Sequence, residues 1–127
     1  MPRWVVLKFG GTSVSNRANW ERIAEQLQDR LREGLRPLVV CSAFSEVSNT
    51  LESLLNAAIN GQHHAILDAL EATHIHHAQT LGVSPDCIAP TLESLRRISE
   101  GISLIQEVSP RIHARVMAHG EFISTTL

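Results

Sequence analysis

Trp4-Val5-Val6-Leu7-Lys8-Phe9-Gly10-Gly11-Thr12-Ser13 is the stretch on which the fold turns. A short β-branched, apolar run closes on a Gly-Gly pair, and this reads as a buried strand entering a tight turn. Ser15 and Asn16 follow as candidate N-caps. From Arg17 to Glu33 the apolar positions Trp20, Ile23, Ala24, Leu27 and Leu31 make one helical stripe, and Gly34 supplies the stop. Pro37-Leu38-Val39-Val40-Cys41 is a second strand-like run. Strand, helix and strand in this order predict a right-handed βαβ unit with parallel strands. Runs that do not alternate further predict strands buried on both faces.

Downstream the pattern becomes helical. Ser42-Ala43-Phe44-Ser45-Glu46-Val47-Ser48-Asn49 reads as a small polar loop, with Ser48 or Asn49 capping a helix through Leu51, Leu54, Leu55, Ala58 and Ile59. Further helices are expected over 63–81, 91–107 (Leu92, Leu95, Ile98, Ile102 and Ile105 inward) and from Pro110 onward. The class is α/β, helix-rich. Two parallel strands do not make a stable sheet alone, and the sequence stops inside its last helix without a stop signal. The expectation is an N-terminal piece of a longer protein.

Composition narrows the function classes. Of 127 residues, 43% are apolar and 19% charged, with net charge −2, so the chain folds and carries no basic stripe for nucleic acid. No run reaches the ~18 apolar residues of a membrane span. Two cysteines without CxxC spacing predict a reducing, cytoplasmic setting. There are ten arginines but one lysine, Lys8. A compact point charge used once, beside a glycine pair, invites a specific reason.

That reason is an anion. Glycines without Cβ let backbone N–H groups approach a ligand oxygen, and the following helix adds free N–H groups and its dipole. Phosphate is the usual occupant of such a place. The order of residues is neither a P-loop nor GxGxxG. The alternative is a tight turn with Lys8 at a strand end; the uniqueness of Lys8 favours phosphate. The Ser42–Asn49 loop follows the second parallel strand and so shares the same sheet edge, where ligands bind; a plain capping loop is its bland alternative. Gly120 sits within a helix at a cost of about 1 kcal/mol relative to Ala, and Glu121 beside it could meet an ammonium or simply solvent. Of His63, His64, His74, His76 and His77, only His74 and His77 share a helix face, and with no Cys, Asp or Glu at i+4 from either of those two, the five read as ordinary histidines, with no metal site.

Lys8-Phe9-Gly10-Gly11-Thr12-Ser13, then Ser42-Ala43-Phe44-Ser45 with Ser48-Asn49, then His119-Gly120-Glu121 with Ser124, resemble the aspartate kinases of the amino-acid kinase superfamily. The resemblance covers the chain. It implies that residues 1–127 are the N-terminal, substrate- and phosphate-binding part of an α/β/α sandwich lacking the nucleotide-binding half. The implied activity is transfer of the ATP γ-phosphoryl group to the side-chain carboxylate of L-aspartate, the first step toward lysine, threonine and methionine. Lys8 would be catalytic, and Lys8, Phe9, Gly10, Gly11, Thr12 and Ser13 would hold the ATP phosphate. Ser42 and Ser48 would hold aspartate, and Glu121 its α-ammonium. Mg²⁺ would be bound by residues outside this chain, the 127 residues alone would be inactive, and the parent would be a homo-oligomer with no nucleic-acid or membrane partner. Two positions depart from the family: Glu46 replaces a usual glycine and Ser48 a usual threonine. Competing readings are another member of the superfamily, or a non-catalytic helical interaction module on a small βα unit.

Overall fold

The computed structural model describes all residues, Met1–Leu127. Strand β1 (Trp4–Phe9) runs into helix α1 (Arg17–Arg32), and strand β2 (Arg36–Cys41) returns parallel to β1 with Lys8 opposite Val40 and Phe9 opposite Cys41. Four helices follow: α2 (Val47–Ile59), α3 (His64–Leu81), α4 (Ala89–Ile105) and α5 (Pro110–Thr126), with a 3₁₀ turn at Pro85–Cys87. The expected βαβ order and parallel pairing are present.

The local stops are those that backbone chemistry demands. Gly34 and Gly82 take left-handed φ of 75° and 72° after α1 and α3, the conformation that ends a helix and that glycine adopts without a Cβ clash. Asn16, not Ser15, caps α1, its Oδ1 accepting from the Asn19 N–H at 2.9 Å. Ser109 caps α5 through the Ile112 N–H, with Pro110 as the first helical residue.

The core belongs to the helices. Helix α2 packs on α3, α4 and α5, and Leu51, Leu54, Leu55 and Ala58 meet Leu67, Leu70, Leu95, Ile102 and Val116 in one cluster. Phe9 and Cys41, at the ends of the two strands, reach its edge.

Four expectations fail. The strands are not buried on both faces: Trp4, Val6, Leu38 and Val40 are exposed, because the sheet has two strands and one layer of helices reaches it. The stripe of α1 thins likewise, with Ile23 its one buried residue and Ala24 and Leu31 exposed. Neither Ser48 nor Asn49 caps α2, which starts at Val47 with Glu46 before it in the left-handed region, φ 67°. At the far end of α4, Ile105 lies outside the core, since the helix stops there and Gln106 turns left-handed.

Candidate functional site

The turn after β1 leaves its first amides unused. The N–H groups of Ser13 and Val14 both close on the Gly10 carbonyl, at 3.0 and 3.2 Å, while those of Gly10, Gly11 and Thr12 donate to no protein acceptor. Unpaired backbone donors in a row are groups from which an anion can accept hydrogen bonds. Val14 is fully buried and its carbonyl accepts from the Trp20 indole N–H at 2.7 Å, which pins the turn to α1. Lys8 is exposed and makes no ion pair, so its charge remains available.

The two glycines do different work. A Cβ at Gly11 would stand 3.0 Å from the Ala43 carbonyl oxygen and 3.3 Å from the Ser45 nitrogen, so Gly11 lets the two loops touch. A Cβ at Gly10 would meet nothing within 4 Å, and its φ is not left-handed. No neighbour in this chain requires glycine at position 10.

Ser15 joins the loops a second time. Its hydroxyl donates to the Gly11 carbonyl and accepts from the Ser45 N–H at 3.1 Å. In the sequence Ser15 is equally a candidate helix cap, and nothing local distinguishes the two roles.

Helix α5 holds the second loop from behind. Gly120 is buried, and a Cβ there would lie 2.8 Å from the Ala43 Cβ and 3.3 Å from Val47 Cγ1. The glycine inside α5 therefore has a packing reason. The Ser124 hydroxyl donates to the Ser42 carbonyl at 2.7 Å. Glu121, half-buried, stands beside that contact with its carboxylate in no ion pair. Ser42 is half-buried; Ser45 and Ser48 are exposed, Ser48 in the first turn of α2. Glu46 is exposed, and its carboxylate accepts from the Asn49 side chain at 3.0 Å. The three separated motifs thus meet: the glycine turn, the serine loop and the Gly120 region of α5.

Phe44 is more than a residue of a polar loop. It is buried, and its ring stacks on His77 of α3 at 4.2 Å between centroids and leans on His74 at 5.7 Å. Burial pushes the pKa values of His74 and His77 below the ordinary histidine value, so both rings favour the neutral form. Burial likewise raises the Cys41 thiol. A shallow groove lined by Phe9, Ser13, Asn19 and Arg22 opens beside the glycine turn. A larger cleft between α3 and α4 is lined by Glu71, Asp86, Glu93 and Arg96 and shares no residue with the loops.

The model of the amino acid kinase family matches residues 3–127. Aspartokinase 2, chloroplastic, of Arabidopsis thaliana is 30% identical over 96% of this chain and 23% of its own. The aspartokinase of Candida albicans is 31% identical over 95% of this chain and 24% of its own. Among solved structures, E. coli aspartokinase III in complex with aspartate and ADP superposes with a TM-score of 0.75 at 28% identity, covering 97% of this chain and 27% of that one. The same enzyme in complex with lysine and aspartate gives a TM-score of 0.77 at 29% identity. The chain spans about a quarter of the length of the curated relatives it matches.

Proposed function

The chain belongs to the amino acid kinase family, and on that premise we propose that it is the substrate- and phosphate-binding part of an aspartate kinase. The protein as a whole transfers the γ-phosphoryl group of ATP to the side-chain carboxylate of L-aspartate. One observation carries the reading. The free N–H groups of Gly10, Gly11 and Thr12 and the unpaired Lys8 lie on a turn that packs against the serine loop, which α5 holds from behind through Gly120 and Ser124, with Glu121 between them in sequence. An anion cradle beside hydroxyls and one uncommitted carboxylate suits an amino-acid dicarboxylate meeting a phosphate.

The chemistry asks little of the protein. The aspartate carboxylate is ionised at neutral pH, so its oxygen attacks the γ-phosphorus without a general base, and ADP leaves as the P–O bond to it breaks. Catalysis then consists of positioning and charge neutralisation. Lys8 and the amides of Gly10 and Gly11 neutralise the transferring group. Ser42 and Ser48 orient aspartate, and Glu121 takes its α-ammonium. Phe9, Thr12 and Ser13 shape the phosphate cradle. Glu46 turns to solvent and to Asn49, so its charge does not occupy the cradle.

Mg²⁺ does not fit the residues present. It demands oxygen ligands, and the single group of three ligand side chains in this chain is nitrogen-rich, His63, His64 and Glu100. The reading carries a cytoplasmic, homo-oligomeric protein of amino-acid biosynthesis; two free cysteines are in keeping with a reducing compartment, and no helix is long and apolar enough to cross a membrane.

Steady-state kinetics on the full-length protein test it. Lys8→Ala should lower kcat by ~10²- to 10³-fold with little change in the KM for aspartate. Glu121→Gln should raise that KM by about 10- to 150-fold, the worth of one charge-assisted hydrogen bond, and leave the KM for ATP alone. Near wild-type kcat for Lys8→Ala would overturn the assignment of the cradle. An unchanged aspartate KM would remove Glu121 from the substrate site.

A further inference from the structure

His63 and His64 are adjacent in sequence, and the turn at Asn60–Gln62 after α2 delivers both to one place. Their Nε2 atoms lie 3.0 and 3.1 Å from the same oxygen, Oε1 of Glu100 on α4. The two rings stack at 4.2 Å between centroids, and the three ligand atoms all fall within 4.8 Å of one another. For ligands held at ~2.1 Å from one ion, neighbouring donor atoms stand about 3.0 Å apart in octahedral and about 3.4 Å in tetrahedral geometry. Both observed nitrogen–oxygen separations are within reach of that range.

We propose that His63, His64 and Glu100 form a binding site for a divalent transition cation of the Zn²⁺, Co²⁺ or Ni²⁺ kind, clamping the start of α3 to α4. The ligand set is two imidazoles and a carboxylate, which suits these ions and not Mg²⁺. The His63 ring is 1% exposed, and its Nδ1 finds no partner. Its one polar contact with another side chain is therefore the one that faces this cluster. The side chains of His64 and Glu100 are 62% and 48% exposed, which leaves an entry path and room for water ligands. Helix α2 has 13 residues, about 20 Å of length, and separates this cluster from the serine loop at its other end. The role is thus structural: an ion here joins residues 37 apart in sequence and stabilises the folded state by binding it alone.

Titration of the metal-free full-length protein with Zn²⁺, and with Co²⁺ read by its visible d–d absorption, tests the site. One ion should bind per chain through imidazole and carboxylate ligands, and Zn²⁺ should raise the melting temperature. His64→Ala and Glu100→Gln alter exposed side chains, so both variants should fold. Each should weaken Zn²⁺ binding by at least ~10-fold and abolish the thermal shift, while Mg²⁺ should produce no shift in any form. Absence of Zn²⁺ binding in the wild type would overturn the proposal. So would binding that His64→Ala and Glu100→Gln leave unchanged, which would place the ion on His74, His76 and His77 or on the cysteines.

Discussion

The four-helix layer and the βαβ unit are built from similar fractions of apolar residues and end up buried to different degrees. Helix α2 alone buries Val47, Leu51, Leu54, Leu55 and Ala58. The unit of β1, α1 and β2 buries one residue within its elements, Ile23. An α-helix surrounded by three others can bury most of its circumference. A two-stranded sheet has two faces and two edges, and here helices reach one side of it. Burial of apolar area is the main stabilising term, roughly 25 cal/mol per Å², so stability concentrates in the helices. The loops that carry the proposed chemistry lie on the seam between the regions, hung from the strands and braced by α2 and α5.

Leu51→Ala tests this contrast most severely. Leu51 is 1% exposed, and truncation there should cost ~2–5 kcal/mol in urea denaturation of the 127-residue chain. Val6→Ala in the strand, where Val6 is 61% exposed, should stay within about 0.5 kcal/mol. Equal costs would show that the sheet is as well packed as the helices.

Gly120→Ala probes the seam itself. The new methyl meets Ala43 at 2.8 Å, and overpacking of this kind costs about 1–3 kcal/mol. In the full-length protein the serine loop should shift with it, raising the KM for aspartate more than that for ATP. Wild-type stability and kinetics together would mean that α5 does not brace the loop.

The third effect is pH dependence on the helical side of the seam. His74 and His77 are held below the ordinary value of 6.5 by burial. As pH falls below about 6.5 the unfolded chain takes up protons that the folded chain refuses, so stability should decline across the interval down to the folded values and not further. Melting temperatures between pH 7.5 and pH 5 would read this, and His77→Gln should flatten the decline. A slope that His77→Gln leaves intact would assign the loss to other groups.

Glu46→Gly should be the smallest change and of opposite sign. A non-glycine residue at φ 67° costs roughly 1 kcal/mol, partly offset by the greater unfolded-state freedom of glycine. A net stabilisation of up to about 1 kcal/mol is expected. Destabilisation would mean that the Glu46–Asn49 hydrogen bond outweighs the backbone strain.

The elements themselves were legible in the sequence, because what makes them is local. Val5-Val6-Leu7 and Leu38-Val39-Val40 are β-branched or apolar runs, and Gly34 and Gly82 mark left-handed stops wherever the rest of the chain lies. The motif residues, too, could be picked out one loop at a time: Lys8 by its rarity, Gly10 and Gly11 by their place after a strand, Gly120 by its presence in a helix. Tertiary structure alone decided what each is for. The Ser15 bond to Ser45, the Ser124 bond to Ser42 and the His63 contact with Glu100 span 30, 82 and 37 positions, and no period in a sequence encodes a partner at those separations. The same holds for the two glycines after β1. They are indistinguishable as letters, yet Gly11 is required by a carbonyl 3.0 Å away in another loop and Gly10 by no neighbour in this chain. Periodicity tells a side chain which face to occupy, while packing chooses what stands opposite it.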